Sequence, residues 1–250
     1  MGEMHMIDFS DKSVIVSGGS RGIGAAAVRL FARLGAHVAF NYNTNRDFAE
    51  KLIDEIKQTK GKHICQKCNV GEFSDVIAFV HKTAQTFGKI DVLVNNAGIT
   101  TVSLLVNTSE QDFDDVLNTN LKGAFNFMRA VGRPMMKQKG GHIINIASYV
   151  GMKGKKGLSA YSSSKAGLIG LTKTGARELC RYSIMVNAVL PGYMLTDMWI
   201  DATEKAREIA LRESIVKDFS DPFRAAEFIC WLSGTKGITG QIFNLDSRIL

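Results

Sequence analysis

Short apolar runs rich in β-branched residues alternate along this chain with longer stretches whose apolar residues recur at helical spacing. The runs are, in order, SVIV, HVAFNY, HICQ, DVLVNN, HIINIAS, IMVNAVL and QIFNL. Strands of a parallel sheet are near-continuous apolar runs because helices cover both of their faces. The pattern therefore predicts an α/β fold, a doubly wound parallel sheet of seven strands with helices on both faces.

The same pattern gives the expected bounds of these elements. The predicted strands are residues 13–16, 37–42, 63–66, 91–96, 142–148, 184–190 and 241–245. The predicted helices include residues 22–34, 46–59, 74–87, 110–136 and 159–182, and Thr108 and Gln111 have the spacing of a capping box before the fourth of them. Ligands of doubly wound sheets bind beyond the carboxyl ends of the strands, so we expect the functional residues just after strands.

Composition narrows the class of protein. The chain has 250 residues with only 3 prolines and no linker or repeat, so we expect a single domain over residues 1–250. It carries no membrane-span pattern and no secretory pattern, which predicts a cytoplasmic protein with no membrane contact. The net charge of +7 is dispersed and no nucleic-acid-binding motif accompanies it. We therefore expect no nucleic acid partner and favour a small anionic one.

The four cysteines do not indicate a metal site. Cys65 and Cys68 form a C-x-x-C pair, whereas Cys180 and Cys230 stand alone in helical segments. No second pair or histidine lies at zinc-binding spacing, so we expect ordinary reduced thiols and no metal.

A glycine-rich stretch, SGGSRGIG at residues 17–24, joins the first predicted strand to the first predicted helix. Gly18, Gly22 and Gly24 let the chain turn sharply, approach a phosphate pair and pack the helix on the strand. The N–H groups at the start of that helix favour an anion. Similar turns also occur in α/β proteins that bind nothing there, so this stretch alone leaves a nucleotide site and a structural turn both open.

A tyrosine and a lysine lie one helical turn apart in YSSSK, beyond the fifth predicted strand. Tyr161 and Lys165 share a helix face, and Ser148 ends the strand before them. A nearby ammonium stabilises a phenolate, which lowers the pKa of the tyrosine and makes it a usable general acid or base. After the fourth strand, NNAG offers amides that can tie strand ends, and Ala97 and Gly98 let a flat ring approach the backbone.

Together these motifs resemble those of the short-chain dehydrogenase/reductase family. The matching segments, in the family's order and separations, are SGGSRGIG, NNAG, NTNLKG, IASYVG, YSSSK and LPGYMLTDM. The resemblance extends from about residue 11 to residue 246 and is greatest to the 3-oxoacyl-acyl-carrier-protein reductases, through NYN, AYSSSKAGLIGLTK and ITGQIFNLD. It implies a Rossmann-type fold, a nicotinamide cofactor and an oxidoreductase activity.

The resemblance implies roles for individual residues. Tyr161 would protonate the substrate carbonyl oxygen, and Ser148 would hydrogen-bond it. Lys165 would hold the nicotinamide ribose and lower the pKa of Tyr161, and Asn120 would support a water that links Lys165 to solvent. Without the resemblance, Asn120 would be taken as a polar residue at a helix kink. The implied cofactor-binding residues are Gly18, Ser20, Arg21, Gly22, Ile23, Gly24, Asn41, Tyr42, Asn43, Asn69, Val70, Asn96, Ala97, Gly98, Tyr161, Lys165, Pro191, Gly192 and Thr196.

The resemblance also implies a homotetramer built partly from the helices predicted at residues 110–136 and 159–182. Apolar residues on these helices exceed what one face of a sheet needs. They are Phe125, Phe127, Met128, Leu168 and Leu171.

Three positions depart from the family's pattern. Ser17 stands in place of the usual threonine, and Asn69 stands where an aspartate commonly contacts adenine. Both residues keep hydrogen-bonding capacity. The C-terminal LDSRIL replaces a frequent DGG, which leaves the substrate fit and the subunit contacts near the C-terminus open.

The end of the second predicted strand bears on the choice of cofactor. NAD enzymes of this architecture typically place an acidic residue there, whereas this strand ends with Asn41, Tyr42 and Asn43. Arg21, with Arg46 as a second candidate, is placed to pair with a 2′-phosphate. A helix start disfavours a cation that meets no anion, so we expect NADP(H).

Basic residues precede the YSSSK helix. Lys153, Lys155 and Lys156, here called the rim lysines, would attract the phosphates of CoA or the acidic surface of acyl carrier protein. This favours NADPH-dependent reduction of a 3-oxoacyl thioester, with a solvated loop as the alternative for the lysines. A dehydrogenase of another ketone or alcohol, such as a steroid, a sugar or a hydroxyacyl-CoA, also remains open. A non-catalytic dinucleotide sensor is disfavoured by the intact catalytic residues.

Overall fold

A parallel β-sheet forms the centre of the computed structural model, which describes residues 7–194 and 204–248. The strand order is β3-β2-β1-β4-β5-β6-β7. The strands are β1 Ser13–Val16, β2 His37–Tyr42, β3 His63–Lys67, β4 Val92–Asn95, β5 Gly141–Ile146, β6 Ile184–Leu190 and β7 Ile242–Asn244. Each predicted strand is therefore present, with ends that differ from the prediction by no more than two residues.

Helices connect the strands and cover the sheet. They are α1 Gly22–Arg33, α2 Arg46–Ile56, α3 Phe73–Phe87, α4 Glu110–Leu117, α5 Gly123–Gln138, α6 Val150–Lys153, α7 Ser159–Leu179, α8 Glu204–Glu213 and α9 Pro222–Gly234. No helix within the two described ranges combines the length and the apolar character that crossing a membrane requires.

The two faces of the sheet are buried in separate apolar cores. Val14 and Val16 of β1 belong to the core that the sheet shares with α1, α2 and α9, whereas Ile15 belongs to the core shared with α3, α5 and α7. Successive side chains of a strand point to opposite faces, so one strand supplies both cores. Phe31 and Phe79 are fully buried, one in each core. The predicted doubly wound α/β fold is confirmed.

Two details of the helix prediction were wrong. The helix expected over residues 110–136 is interrupted by a π-helical turn at Asn118–Lys122, between α4 and α5. Its N-cap is Ser109, whose hydroxyl accepts a hydrogen bond from the Asp112 N–H at 3.0 Å, and not the expected Thr108, whose hydroxyl donates to the Leu104 carbonyl. A capping serine or threonine was correctly expected here, but the adjacent hydroxyls make the position ambiguous from sequence.

The strand order locates the ligand-binding edge of the sheet. β1 pairs with β2 on one side and with β4 on the other, so the order along the chain reverses between β1 and β4. Ligands of doubly wound sheets bind at the carboxyl ends of the strands at this point. The glycine-rich turn follows β1 and the NNAG segment follows β4, which brings the two motifs together.

Candidate active site

The glycine-rich turn after β1 is packed so closely that two of its glycines cannot be replaced without movement. Gly18 has a φ of +60°, and a Cβ there would lie 2.8 Å from the Cα of Ala97. A Cβ on Gly24 would lie 2.5 Å from the side-chain nitrogen of Asn96 and 2.6 Å from the carbonyl oxygen of Gly18. Contacts below 3.0 Å with backbone atoms force the chain to shift. The sequence prediction that this turn needs glycine for close packing agrees with these contacts.

Ser17 and Asn96 lock this turn to the end of β4. The Ser17 hydroxyl accepts hydrogen bonds from the N–H groups of Asn96 at 3.0 Å and of Ala97 at 3.1 Å. In return, the amide nitrogen of Asn96 donates to the carbonyl oxygens of Ser17 at 3.1 Å and of Gly18 at 2.9 Å. The hydroxyl is what these contacts use, which explains why serine serves where the family usually has threonine.

Asn41 holds the turn to the other neighbouring strands. Its side-chain oxygen accepts from the Gly18 N–H at 3.1 Å, and its amide nitrogen donates to the Cys68 carbonyl at 2.9 Å. Asn41 is only 1% exposed. Its amide therefore supports the cavity wall chiefly by joining the glycine-rich turn, β2 and the end of β3.

A cavity of about 600 Å³ runs along the carboxyl ends of the strands. The residues assigned to the cofactor or to catalysis from sequence that line it are Gly18, Ser20, Arg21, Gly22, Ile23, Asn41, Tyr42, Asn43, Asn69, Val70, Asn96, Ala97, Gly98, Ser148, Tyr161, Lys165, Pro191 and Gly192. Gly24 and Asn120 lie behind this wall, and Thr196 lies outside the described residues. A volume of this order suits an organic cofactor and part of a substrate.

Tyr161, Lys165 and Ser148 meet at one end of the cavity, where α7 passes the end of β5. The Lys165 ammonium nitrogen lies 5.6 Å from the centre of the Tyr161 ring and donates a hydrogen bond to the Ile146 carbonyl at 2.7 Å. The Tyr161 side chain is hydrogen-bonded to the side chain of Ser148. The structure thus brings together the three residues that the sequence placed on α7 and after β5.

Burial shifts the pKa values of Tyr161 and Lys165. Burial raises the pKa of Tyr161, and the hydrogen bond with Ser148 opposes that shift in part. Burial also lowers the pKa of Lys165 to about 8. The expectation that Tyr161 has a lowered pKa is therefore not met in the protein alone, because loss of water outweighs the stabilisation of phenolate. Perturbed pKa values of buried groups in a cavity are typical of functional sites.

Asn120 lies in the π-helical turn between α4 and α5. Its side-chain oxygen accepts from the Ile99 N–H at 2.8 Å, and its amide donates to the Ile99 carbonyl and to the Ser164 hydroxyl, both at 3.0 Å. A Cβ on Gly98 would lie 3.3 Å from the Asn120 oxygen and 3.6 Å from the Lys165 nitrogen, so both atoms border the same small space. Asn120 is thus both a polar residue at a helix irregularity and a neighbour of Lys165.

Several residues of the site were not assigned to it from sequence. Ser164 is the third serine of YSSSK. Its hydroxyl donates a hydrogen bond to the Tyr161 carbonyl at 2.7 Å and accepts one from the Asn120 amide. Tyr193 and Arg248 also line the cavity. The departure of the C-terminal LDSRIL from the family's pattern was the signal that could have drawn attention to Arg248.

Arg21 and Arg46, the two candidates for pairing with a cofactor 2′-phosphate, differ in whether they line the cavity. Arg21 is exposed, lines the cavity and is the N-cap residue of α1. Arg46 does not line the cavity, and its guanidinium pairs with Glu50 at 2.6 Å. Among the described residues, the carboxylates that line the cavity are Glu72, before α3, and Asp115, on α4.

The thiols lie apart from this chemistry. Burial raises the pKa of Cys65 to about 11 and that of Cys68 to about 12, so both stay protonated at neutral pH. A thiol that stays protonated is a poor nucleophile and a poor metal ligand. Within residues 7–194 and 204–248, no three His, Cys, Asp or Glu side chains are grouped to hold a metal ion.

Comparisons with known proteins agree with this geometry. A family model described as short chain dehydrogenase matches residues 12–207. The chain belongs to the short-chain dehydrogenase/reductase family. It is 40% identical over 238 residues to a 3-oxoacyl-[acyl-carrier-protein] reductase from Staphylococcus epidermidis, covering 94% of this chain and 98% of that one. It is also 40% identical over 241 residues to a reductase of the same name from Thermotoga maritima, covering 96% and 98%.

A solved structure extends the agreement to three dimensions. A dehydrogenase/reductase from Sinorhizobium meliloti superposes with a TM-score of 0.90 at 32% identity, covering 96% of each chain. Membership of the family makes this protein an NAD(P)-dependent oxidoreductase that acts on a CH–OH group or the corresponding carbonyl. The sequence-based recognition of the family is confirmed.

The cavity fits the nicotinamide dinucleotide that the family uses. Gly22 and Ile23 open α1 at the cavity wall, and the first N–H groups of an α-helix have no partner within the helix. Such groups bind phosphate oxygens. Gly18 and Gly98 leave the wall without side chains where a ligand meets the backbone, and the volume suits a ligand of this size.

Proposed function

We propose that this protein is an NADPH-dependent reductase that converts a 3-oxoacyl thioester to the 3-hydroxyacyl thioester, a reaction of fatty acid biosynthesis. The observation that carries the proposal is the grouping of Ser148, Tyr161 and Lys165 in the wall of a cavity of about 600 Å³ that the glycine-rich turn also lines. The 40% identity with two 3-oxoacyl-[acyl-carrier-protein] reductases, each matched over nearly its whole length, supports the choice of substrate.

Different residues along the cavity would bind different parts of the cofactor. The N–H groups at the start of α1 would bind the pyrophosphate, Asn69 and Val70 would flank the adenine, and Lys165 would hold the nicotinamide ribose. Pro191 and Gly192, which follow β6, would border the carboxamide. The chemistry that a bound NADPH supplies is hydride donation to the substrate carbonyl carbon.

Tyr161 would act as the general acid. Its hydroxyl would give its proton to the carbonyl oxygen as negative charge develops there, while Ser148 donates a hydrogen bond to the same oxygen. The raised pKa of Tyr161 keeps this proton in place until the reaction needs it. The adjacent Lys165 ammonium would then stabilise the phenolate that remains, because a charge interaction is strong where water is excluded.

Asn120 and Lys165 would return the lost proton. Both side chains border the space beside Gly98, so a water held there by the Asn120 oxygen could reach the Lys165 nitrogen. A lysine whose pKa is about 8 exchanges its proton readily near neutral pH. In this scheme Asn120 is a positioning residue, since its amide is already bonded to Ile99 and Ser164.

NADPH is favoured over NADH because the end of β2 carries no acidic side chain and because Arg21 lines the cavity. This end of the cavity is lined by Tyr42, Asn43, Thr44 and Asn45, none of which would repel a 2′-phosphate. Arg21 lines the cavity and carries a cation at a helix N-terminus, where only an anion makes it favourable. Arg46 no longer contributes to this proposal because Glu50 pairs with it.

A carrier-bound substrate is favoured by the rim lysines. Lys155 lines the cavity, and Lys153 and Lys156 are exposed beside it. Positive charge at the mouth attracts the phosphate of a phosphopantetheine arm or of CoA.

We also propose that the protein is a homotetramer. Phe127, Met128 and Leu168, which were expected to be in excess, are buried in the core of the single chain. Phe125 is 46% exposed. It forms an apolar surface patch with Leu171, with Leu117 of α4 and with Leu121 of the π-helical turn. An apolar patch of this kind is typical of a subunit interface.

The test is reduction of acetoacetyl-CoA, followed as oxidation of NADPH. Wild type should turn over, and Tyr161→Phe should lose about 10²–10⁴-fold in kcat, because the variant lacks only the proton donor. The Kd for NADPH should remain within about threefold of wild type in this variant, since the fold and the cofactor contacts remain. Near-normal turnover of Tyr161→Phe would refute the mechanism, and failure of wild type to reduce any 3-oxoacyl thioester would refute the substrate class.

A further inference from the structure

The C-terminal residues bring a charged side chain to the catalytic end of the cavity. Arg248 lines the cavity and is only 6% exposed. Its guanidinium carbon lies 4.5 Å from the centre of the Tyr149 ring, and Tyr149 directly follows the proposed catalytic Ser148. The same carbon lies 5.9 Å from the ring of Tyr193, which also lines the cavity. Arg248 is therefore part of the cavity wall, and it packs on the residue that follows Ser148.

The charge of Arg248 is balanced within the chain. Its Nε donates to Asp246 Oδ1 at 2.8 Å and its Nη2 donates to Asp246 Oδ2, so the two side chains form a two-bonded pair. Its Nη1 lies 3.7 Å from a carboxylate oxygen of Glu213, the last residue of α8. The three side chains together carry one net negative charge, so Arg248 has no uncompensated positive charge with which to hold an anionic substrate group.

Backbone hydrogen bonds fix the position of this pair. Asp246 Oδ1 also accepts from the Arg248 N–H at 2.9 Å, and the Asp246 N–H donates to the Asn244 side chain at 3.0 Å. The Ile215 N–H, just beyond α8, donates to the Ser247 carbonyl at 3.2 Å. A side chain held by this many contacts does not swing aside without breaking them, so it acts as a fixed wall.

We propose that Arg248 is a specificity-determining residue that closes the substrate end of the cavity and makes the enzyme favour short 3-oxoacyl groups over long alkyl chains. The proposal rests on the proposed function for the substrate class. A long alkyl chain at this wall would meet a buried ion pair, where it would bury little of its surface against apolar atoms and would remove the remaining water from charged groups. A four-carbon 3-oxoacyl group carries only one methyl beyond the carbonyl that is reduced, so it would bear less of these costs.

The test compares two substrates that differ only in chain length. The N-acetylcysteamine thioesters of 3-oxobutanoate and 3-oxooctanoate are reduced with NADPH, and the Kd values of the two matching 3-hydroxyacyl thioesters are measured by calorimetry. Wild type should favour the four-carbon compound in kcat/KM and in affinity. The double variant Asp246→Asn with Arg248→Met should shift both ratios towards the eight-carbon compound by about tenfold or more, since each methylene of a chain then meets an apolar wall.

Both residues are changed together because Arg248→Met alone would leave a buried, unpaired carboxylate. The matched control is Glu213→Gln, which weakens the link to α8 without changing a residue of the cavity wall. Its ratios should equal those of wild type. An equal shift in Glu213→Gln would overturn the proposal, because the tethering of α8 and not the wall would then set the selectivity.

Other results would overturn the proposal as well. These are unchanged ratios in a double variant that keeps the wild-type Kd for NADPH, a wild type that prefers the eight-carbon compound, and a wild type that prefers a carboxylate-ended 3-oxoacyl thioester. The wild-type measurements decide even if the double variant does not fold. Binding without reduction by wild type would refute the proposed function, while the affinity ratio would still decide the role of Arg248. Binding of neither compound would refute both.

Discussion

The buried ammonium of Lys165 should make the stability of this protein depend on pH in a predictable direction. Burial lowers its pKa from an ordinary 10.5 to about 8. A difference of about 2.5 pKa units corresponds to about 3 kcal/mol, since each unit is worth about 1.4 kcal/mol. The folded protein thus carries a cost for keeping this lysine charged, which the hydrogen bond to the Ile146 carbonyl offsets only in part.

The direction follows from the protons bound in each state. Below pH 8 the lysine is protonated in both states, and the folded state bears the whole cost. Between pH 8 and pH 10.5 the unfolded chain keeps a proton that the folded chain has released, so the free energy of unfolding rises with pH. Above that range the lysine is neutral in both states and the cost has disappeared.

The assay is urea unfolding of wild type and Lys165→Met at pH 7, 8, 9 and 10. The free energy of unfolding of wild type minus that of the variant should rise by about 2–3 kcal/mol across this range. Titrating groups remote from Lys165 cancel in the difference, and Tyr161 stays protonated in both folded chains over this range because burial raises its pKa. The lost bond to Ile146 adds an offset that does not depend on pH. Lys173→Met, at an exposed position of the same helix, is the control and should give a constant difference. A difference that stays level or falls for Lys165→Met would show that this lysine is not desolvated.

Three further predictions concern the cofactor, the glycine-rich turn and the assembly. Arg21→Ala should raise the Kd for NADPH by about tenfold or more and that for NADH by less than about twofold, because charge-assisted bonds to phosphate are worth about 1.5–3 kcal/mol; equal losses, or an equal effect of the control Arg46→Ala, would contradict this. Ser17→Ala should lower the free energy of unfolding by about 1–3 kcal/mol because two hydrogen bonds are lost, whereas Ser17→Thr keeps the accepting hydroxyl and should lower it by less than Ser17→Ala does. Light scattering at micromolar concentration should give about four times the 27.4 kDa of one chain, and Phe125→Asp should lower that mass; a monomeric wild type would contradict the proposed tetramer.

The parts of the fold and site that the sequence predicts are those encoded by neighbouring residues. The β-branched runs locate the central strands because a strand buried on both faces needs apolar residues throughout, and shorter apolar runs locate the partly buried edge strands β3 and β7. The glycines of residues 17–24 locate the dinucleotide turn because they stand between a β-branched run and a helical pattern, although their closest contacts include the distant Asn96 and Ala97. Tyr161 and Lys165 fall on one face of α7 because they are four residues apart. Each of these inferences needs only local spacing and the position of a strand end.

The parts that the sequence does not predict depend on contacts between distant segments. In the π-helical turn at Asn118–Lys122, the Asn120 side chain forms hydrogen bonds with Ile99 and Ser164. No spacing in the sequence indicates these partners. Burial of Tyr161 raises its pKa, although the lysine four residues away indicated the opposite direction. Arg248 reaches the cavity only because the C-terminal segment returns to the end of β6, where the Leu245 N–H bonds to the Leu190 carbonyl.

The polar side chains at the end of β2 and after β1 differ in whether they are free to bind a ligand. The amide of Asn41 is used at both ends, with its oxygen on the Gly18 N–H and its nitrogen on the Cys68 carbonyl. A carboxylate at this position could keep the first bond but would face a carbonyl oxygen at the second, so replacing Asn41 with aspartate is unfavourable even without a cofactor. Discrimination at the ribose 2′-position is therefore left to side chains that the scaffold does not need. Arg21 and Asn43 are exposed and line the cavity, and they are the residues at which a change of cofactor preference should be sought.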